Sequence, residues 1–333
     1  MMTRRLLGIA GWLLAAAAGA IAAPSVVDWR LEWGLPWRVR GDCAKGKDMS
    51  AVATLGGGGA VMASDETRGA QRVVLDGGAR VMTVMESLPL LPGKGAEIDL
   101  EGAAASAKER AYFLVGSLAL TRQGDAFEPD RGYVFRLPVD GAGQPQPKAV
   151  AKADLRGVMA ADPALSPFLN LPADANGLDI EGLAERDGRL FFGLRAPVQG
   201  DEATVVEVET QALFAGRGAL RHHRLALGRG RGIRDLVALE GEAGFLVLVG
   251  SSGGAEGGRS VSGDKYELWH WAGPGGAVKR LGGLGPVAGE PDAKAEGLLV
   301  LNHSGAGLEG LIIHDGPKNG APHEFRLLPP TAP

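Results

Sequence analysis

Apolar and polar residues alternate in short runs along most of this chain, and the alternation predicts β-strands. After residue 23 the apolar runs are about five to seven residues long, and Gly, Asp, Asn and Pro separate them. The 53 glycines and 20 prolines disfavour long helices. One segment differs, because Asp154 is a suitable cap for a helix that runs through Met159 and that Pro163 stops. The pattern therefore predicts an all-β fold with a short helical insertion over residues 154–169.

One unit recurs five times along the chain. It consists of an acidic-apolar run, a tight turn, and a second apolar run that ends in Gly or Ser. The copies begin at Asp48, Asp99, Asp179, Asp235 and Ala295. Spacings of roughly 50–80 residues suit four-stranded propeller blades with insertions. We predict a single β-propeller of five blades, or of six if weak strands within residues 155–175 form another. A pair of β-sandwiches is the structural alternative, but it leaves the repeated opening unexplained.

The last unit lacks a fourth strand of its own. Its third strand is expected over residues 324–328, close to the end of the chain. Near the other end, residues 26–33 alternate so that Trp29, Leu31 and Trp33 share one face. We predict that this N-terminal segment supplies the missing strand, which would close the ring and remove an exposed edge.

The first residues have the pattern of an export signal. Arg4 and Arg5 precede an apolar run over residues 6–18, and Ala20-Ile21-Ala22 has the small-x-small pattern of a cleavage site. We predict a signal peptide over residues 1–22, cleavage after Ala22, a propeller over residues 23–333, and a bacterial protein in the periplasm or secreted. A retained anchor is the alternative, although spanning a bilayer takes about 20 apolar residues. Sec and twin-arginine export both stay open, since Gly8 interrupts the twin-arginine pattern.

Composition narrows the possible partners. Loss of the leader changes the formal net charge from −4 to −6, because Arg4 and Arg5 leave with it. No basic block remains that would bind nucleic acid. No later apolar run approaches membrane length, so a monomer without membrane association is expected after cleavage. Cys43 is the single cysteine, so an intrachain disulfide is impossible and stability must come from the core.

The candidate chemistry lies in carboxylates near the starts of the repeated units. Glu97, Asp99 and Glu101 alternate along a strand and therefore share one face, and Asp179 and Glu181 repeat the arrangement. In a propeller the starts of the innermost strands line the central channel. We therefore expect Glu101, Glu181 and Glu296 to converge from different blades and to bind a divalent cation, with Ca²⁺ as the candidate.

Other charged residues are candidates for binding a small polar ligand beside that cation. They are Arg195, Arg234, Asp65, Glu66, Asp179 and Asp235. In this scheme the two arginines orient an anionic group of the ligand. The structural alternative is that the acids pair with arginines or cap backbone N–H groups at blade corners, since perturbed carboxylates occur in both settings.

No catalytic residue can be assigned from the sequence. His303 is a weak candidate, because it ends an inner strand and could enter the channel as an acid, a base or a ligand. A structural histidine is the alternative, since nothing adjacent completes a triad. Residues 250–254 match the nucleophile-elbow pattern around Ser252, but residues 255–263 are too rich in glycine to form the helix that the motif needs.

Several phrases resemble a bacterial family, the domain of unknown function numbered 3616. The strongest match is Asn176-Gly177-Leu178-Asp179-Ile180-Glu181-Gly182-Leu183-Ala184, and it continues over residues 190–198. Supporting matches lie at residues 97–102, 115–117, 232–236 and 295–297. Two departures stand out. Gly116-Ser117-Leu118-Ala119 replaces the usual Gly-Ser-His-Ser, and Arg195-Ala196-Pro197 replaces Arg-Gly-Pro.

The resemblance implies a propeller and no particular reaction. More distantly, the repeated Glu-Gly openings are similar to those of phytase-like esterase propellers and calcium-dependent lactonase propellers, which suggests ester or lactone hydrolysis. Two hypotheses follow. The protein binds a divalent cation and a small polar ligand at an acidic channel mouth, with hydrolysis as an added activity. Alternatively, it is a non-catalytic interaction or scaffold module whose acids only fasten the blades.

Overall fold

The computed structural model describes residues 28–122, 126–239, 244–253 and 264–330. Within these residues five β-sheets surround one channel, and the innermost strand of each sheet contacts those of the two neighbouring sheets. The predicted all-β propeller with five blades is thereby confirmed. The predicted signal peptide lies outside the described residues.

Each blade is a meander of antiparallel strands that runs outwards from the channel. Blade 1 contains β3 (Met49–Gly56), β4 (Gly59–Ser64), β5 (Gly69–Asp76) and β6 (Val81–Pro89), with β2 (Arg38–Arg40) added in parallel at its outer edge. Blade 2 contains β7 (Leu100–Ser106), β8 (Ala111–Gly116), β9 (Tyr133–Pro138) and β10 (Ala151–Asp154). Blade 3 contains β11 (Asp179–Arg186), β12 (Arg189–Ala196), β13 (Glu202–Glu209) and β14 (Arg221–Ala226).

The last two blades follow the same plan. Blade 4 contains β15 (Arg231–Ala238), β16 (Phe245–Ser251), β17 (Glu267–Trp271) and β18 (Val278–Gly283). Blade 5 contains β19 (Lys294–Ser304), β20 (Gly307–Asp315), β21 (His323–Leu328) and β1 (Arg30–Pro36). β1 pairs antiparallel with β21, with Trp33 opposite Phe325, so the predicted closure by an N-terminal strand is confirmed.

Helices occupy little of the described chain. The α-helices are α1 (Leu155–Ala160) and α2 (Thr210–Phe214), and neither is long enough to cross a bilayer. The Asp154 side chain caps α1 by accepting a hydrogen bond of 2.8 Å from the Gly157 N–H. The sequence predicts this cap and a helix through Met159, and the α-helix ends one residue later, at Ala160. Single 3-10 turns lie at Pro129–Gly132, Pro147–Ala149, Ser166–Phe168, Ala173–Ala175 and Lys318–Gly320.

The core is divided among the five contacts between neighbouring blades. Each contact holds its own cluster of buried apolar side chains, for example Phe113 and Phe192 between blades 2 and 3. Trp29 belongs to the cluster between blades 4 and 5, where it is 4% exposed and lies among residues that include Phe325. The blades therefore bind one another through burial of apolar surface, and the polar groups at the channel mouth need not supply the main stability.

Blade 5 contains a buried histidine that makes stability depend on pH. His314 is 3% exposed, and its Nδ1 donates a hydrogen bond of 3.2 Å to the Ala321 carbonyl. Burial lowers the pKa of His314 from 6.5 to about 4. Between these values the unfolded chain binds the proton and the folded chain does not, so stability is lost as pH falls from about 6.5 towards 4.

We expect this histidine to remove about 2–3 kcal/mol from the free energy of unfolding between pH 7 and pH 4.5. The measurement is urea denaturation at both pH values. His314→Asn keeps a short polar side chain and removes the titrating group. Between pH 7 and pH 4.5 the variant should therefore lose about 2–3 kcal/mol less of its free energy of unfolding than the wild type does. Equal losses in the variant and the wild type would contradict the assignment.

Candidate functional site

A β-bulge near the start of every innermost strand turns one side chain into the channel. In each strand the pairing with its neighbour skips one residue, as at Glu101, which lies between the pairs Leu100–Gly116 and Gly102–Val115. A bulge re-aims its extra residue, and bulges are common beside functional sites. The five skipped residues, one from each blade, are Ser50, Glu101, Glu181, Arg234 and Glu296. We call them the bulge ring, and all five line one cavity.

That cavity lies at the mouth of the channel where the innermost strands begin, and its volume is about 1010 Å³. Among the described residues, twelve acidic and six basic side chains line it. Its few apolar side chains, such as Leu120 and Pro172, come from the loops that follow β8 and precede β11. The lining is therefore strongly negative on balance, and it attracts cations.

Arginines bridge most of the acids on the blade 3, 4 and 5 side of the cavity. Nε of Arg234 lies 2.7 Å from Oε2 of Glu181, and Nη2 of Arg234 pairs with Glu296. Arg195 contacts Asp179 and Glu181 at 2.7 Å each. Burial acts to lower the pKa of both guanidinium groups, but the surrounding carboxylates raise it above its usual value. Both arginines thus stay charged and act as built-in counter-ions.

A similar bridge forms in blade 2. Arg131, 6% exposed, contacts Glu97 at 2.6 Å and Asp99 at 2.8 Å. The Ser117 hydroxyl also donates to Asp99. Asp99 has a positive φ of 57°, and its N–H donates to the Asp65 carbonyl at 3.1 Å. This backbone bond joins blades 1 and 2 and brings the Asp65 and Asp99 side chains together.

Asp65 and Glu101, two neighbouring acids of the cavity, have no counter-ion among the described residues. The side chain of Glu101 makes no hydrogen bond or ion pair with any described residue, and Oδ1 of Asp65 is buried without a hydrogen-bond partner. One carboxylate oxygen from each of Asp65, Asp99 and Glu101 lies within 4.8 Å of the others. Burial, together with Asp99 and other nearby acids, raises the pKa of Asp65 to about 7 and that of Glu101 well above its usual value. Within this carboxylate cluster only Asp99 has a basic partner among the described residues, namely Arg131.

The structure gathers most of the predicted site residues at this mouth. Glu101, Glu181 and Glu296 all belong to the bulge ring, and the cavity is also lined by Asp65, Glu66, Asp179, Arg195 and Arg234. However, the contacts divide the predicted metal ligands into two groups. Glu181 and Glu296 face arginine, whereas Glu101 faces Asp65 and Asp99. The two arginines predicted to bind an anion are already in contact with carboxylates.

Asp235 is not among the residues that line the cavity. It is 1% exposed, and its carboxylate accepts hydrogen bonds of 2.7 Å from the N–H groups of Leu236 and Leu298. Leu298 belongs to blade 5, so this carboxylate fastens blade 5 to blade 4. The location agrees with the structural alternative considered for the acids.

His303 lies at the opposite mouth of the channel. It lines a separate cavity of about 610 Å³ formed by the ends of the innermost strands, and its ring centroid is 5.9 Å from that of Trp29. No histidine is among the described residues that line the acidic cavity. Leu118 stands where the family that the sequence resembles usually has a histidine. It is buried in the apolar cluster between blades 2 and 3. Ser252 is fully buried, and residues 254–263 after it lie outside the described residues.

Sequence analysis did not single out Ser50, and it predicted Arg234 as a ligand-binding residue without predicting its bulge. In blade 4 the acidic phrase begins at Asp235, but the skipped residue is Arg234. In blade 1 the skipped residue is Ser50, whose hydroxyl donates to the Leu100 carbonyl. The Glu-Gly pair marks the bulge in the other three blades. In blades 1 and 4, only the pairing register of the strands reveals the bulge.

No curated protein matches the chain. Among solved structures, it is similar to U3-55K, with 10% identity, 86% of this chain and 64% of that chain covered, and a TM-score of 0.39. It is similar to the WD40 propeller domain of Doa1, with 8% identity, coverage of 89% and 97%, and a TM-score of 0.38. It is also similar to streptogramin B lyase, with 9% identity, coverage of 90% and 98%, and a TM-score of 0.38.

A protein-family model matches the C-terminal half of this chain. The family described as "Protein of unknown function (DUF3616)" matches residues 146–324, which is more than half of the 333 residues. The match includes the phrases around Glu181, Arg234 and Glu296, and with them three of the five positions of the bulge ring. The chain belongs to the DUF3616 family.

Proposed function

We propose that this propeller binds a divalent cation, with Ca²⁺ as the first candidate, together with a small polar ligand in the acidic cavity. The observation that carries the proposal is the carboxylate cluster of Asp65, Asp99 and Glu101. Three carboxylate oxygens lie within 4.8 Å of one another, and two of the acids have no positively charged partner among the described residues. Buried carboxylates without pairing or hydrogen bonds are costly, and a bound cation offsets that cost.

The spacing of the cluster suits Ca²⁺. This ion holds six to eight oxygen ligands at about 2.3–2.6 Å, so two ligands on opposite sides of it lie up to about 5 Å apart. A single ion can therefore contact one oxygen of each acid after small side-chain rotations. Water and an oxygen of the ligand would complete its coordination. The buried Oδ1 of Asp65 is the donor atom that most needs such a partner.

This ligand set differs from the one expected from the sequence. Glu101 remains, while Asp65 and Asp99 take the positions that had been given to Glu181 and Glu296. The reason is electrostatic for Glu181 and Glu296, because Arg234 and Arg195 already neutralise Glu181 and Arg234 pairs with Glu296. Asp65 and Glu101 have no basic partner among the described residues. Asp99 pairs with Arg131, and it joins the set because its carboxylate lies beside theirs. The scaffold hypothesis accounts well for those paired acids and for Asp235. It does not account for a half-buried cluster at Asp65 and Glu101 without counter-ions.

Ester or lactone hydrolysis is a further element of the proposal. A bound cation polarises a carbonyl group and lowers the pKa of bound water. Because no histidine is among the described lining residues, a carboxylate would have to accept the proton. Turnover of generic ester and lactone substrates by the Ca²⁺-loaded protein tests this activity separately from binding. The predicted export is in keeping with a weak Ca²⁺ site, which is typical of extracellular modules.

Cation binding can be tested through stability. Ca²⁺ at a hundredfold excess over its Kd should raise the free energy of unfolding by about 2.7 kcal/mol. In Glu101→Gln this gain should shrink, because a ligand charge is lost. In chelator the variant should be at least as stable as the wild type, because Glu101 forms no ion pair with a described residue and lies beside the carboxylates of Asp65 and Asp99. Urea denaturation with and without Ca²⁺ measures both effects.

A matched control is Glu309→Gln. Glu309 is a half-exposed acid of blade 5 that pairs with Arg326 at 3.4 Å, outside the described lining of the cavity. Its substitution should leave the response to Ca²⁺ unchanged. A wild type whose stability is the same in Ca²⁺ and in chelator, with a flat calorimetric titration, would refute the proposed function.

A further inference from the structure

We infer that the polar ligand of this cavity is a positively charged small amine. The inference rests on the proposed function, since it names the class of molecule that accompanies the cation. It departs from the expectation of an anionic ligand held by Arg195 and Arg234. The reasons lie in the pairing of the cavity's basic groups, its charge balance and its unpartnered oxygens.

Almost every basic group of the cavity already has an acidic partner. Lys45 contacts Glu66 at 2.9 Å, Lys294 pairs with Asp315, and Arg131, Arg195 and Arg234 are bridged as described above. Among the described lining residues only Arg122, at the exposed rim, has no ion pair. An anionic ligand would therefore find one free guanidinium. It would otherwise have to break buried ion pairs, which is expensive.

The charge balance opposes an anion as well. Twelve acidic side chains face six basic ones in the described lining, and one divalent cation would leave four negative charges in excess. In a cleft with low-dielectric walls such an excess concentrates molecules of opposite charge. A second positive charge, carried by the ligand, brings the cavity closer to neutrality.

A particular buried oxygen is available to an amine. Oε2 of Glu296 is buried without a hydrogen-bond partner, although the Glu296 side chain is only 5% exposed and lines the cavity. It belongs to blade 5, while the carboxylate cluster proposed for the cation comes from blades 1 and 2. Near the contact of blades 5 and 1, Asp48 adds a lining carboxylate without an ion pair among the described residues. An ammonium group offers three donors and a positive charge, which suits these acceptors.

The remaining lining indicates the kind of amine. A volume of about 1010 Å³ holds a cation, several waters and one small molecule. Leu120, Pro172 and Ala173 form a small apolar flank that can contact a carbon skeleton. Apart from Ala96, Ala119 and Gly253, the rest of the lining is polar. The cavity therefore suits a compact hydrophilic amine, such as an amino sugar or a short aliphatic diamine.

The test compares ligands that share one skeleton and differ in charge. Wild-type protein saturated with Ca²⁺ is titrated calorimetrically with glucosamine, glucose and glucuronate, and with 1,4-diaminobutane, 1,4-butanediol and succinate. At least one amine should bind at least tenfold tighter than its neutral and anionic analogues. Anions that bind as tightly as the amines, or two amines that show no binding at millimolar concentration, would overturn the inference.

Two substitutions in the lining test whether the amine binds in this cavity. Asp48→Asn should weaken amine binding about tenfold, whereas Arg122→Gln should leave it unchanged or strengthen it. A loss of amine binding in Arg122→Gln would contradict the inference, because removing a nearby positive charge should not weaken the binding of a cation. An amine that displaces Ca²⁺ in competition would also overturn the inference, because both would then occupy the carboxylate cluster.

A separate Ca²⁺ titration without amine distinguishes the two failures. If Ca²⁺ binds and no amine does, the inference is wrong and the proposed function stands. If Ca²⁺ does not bind, the proposed function is wrong, whatever the amines do.

Discussion

Replacing Arg234 by methionine is expected to lower the free energy of unfolding by about 3–5 kcal/mol, because it removes the counter-ion of two buried acids. Arg234 is 6% exposed and bridges Glu181 of blade 3 and Glu296 of blade 5. Glu181 would keep Arg195, but Glu296 would lose its only ion pair among the described residues. Methionine keeps much of the side-chain volume, so the loss reports on charge more than on packing.

The pH dependence of this loss separates charge from packing. An uncompensated buried carboxylate in general escapes its cost by becoming neutral, so a penalty that arises from charge should be smaller at pH 5 than at pH 8, whereas a penalty from lost packing should not. The control is Lys279→Gln, which breaks a pair with Asp28 whose side chains are 49% and 71% exposed, and it should cost less than about 1 kcal/mol. Urea denaturation curves at the two pH values measure all three proteins. A penalty for Arg234→Met as small as that of the control would contradict the bridge.

Replacing Trp29 by alanine should cost about 3–5 kcal/mol, the usual range for truncating a large buried side chain. Trp29 is 4% exposed, just before β1, in the apolar cluster between blades 4 and 5. Its loss leaves a cavity at the point where the N-terminal strand closes the ring. The variant should therefore melt several degrees below the wild type, and chemical denaturation should give the free energy directly.

The matched control is Leu35→Ala on β1 itself. Leu35 is 58% exposed, so its truncation should change stability by no more than about 0.5 kcal/mol. Deleting residues 24–33 is the more severe form of the Trp29 experiment, since it also frees an edge of β21 for association with other chains. A Trp29→Ala variant that is as stable as the wild type would show that closure of the ring does not depend on this apolar cluster.

Much of the fold was predictable because its determinants are local in the sequence. Alternating apolar residues and glycine-rich turns marked the strands, and recurrence of one unit indicated five blades. The cap at Asp154 needed only the residues beside it. The closing strand was predictable too, because Trp29, Leu31 and Trp33 share a face that has to be buried.

The candidate site was predictable only in part. The Glu-Gly openings correctly directed attention to the channel mouth, where Glu101, Glu181 and Glu296 lie together. The partners of these acids come from other blades, and the sequence does not show which side chain faces which. Asp65 follows β4 in a turn, and it joins Glu101 only because blade 1 packs beside blade 2.

The sequence by itself determined the family, the all-β class and the repeated strand pattern, since these follow from residue identity and short-range periodicity. Tertiary structure alone decided which side chains enter the channel, because a bulge depends on how two strands pair. It placed Arg234 in the ring instead of Asp235, and Ser50 in place of an acid. It also decided which carboxylates are neutralised and which are left for a cation, because charge pairing depends on distances between blades.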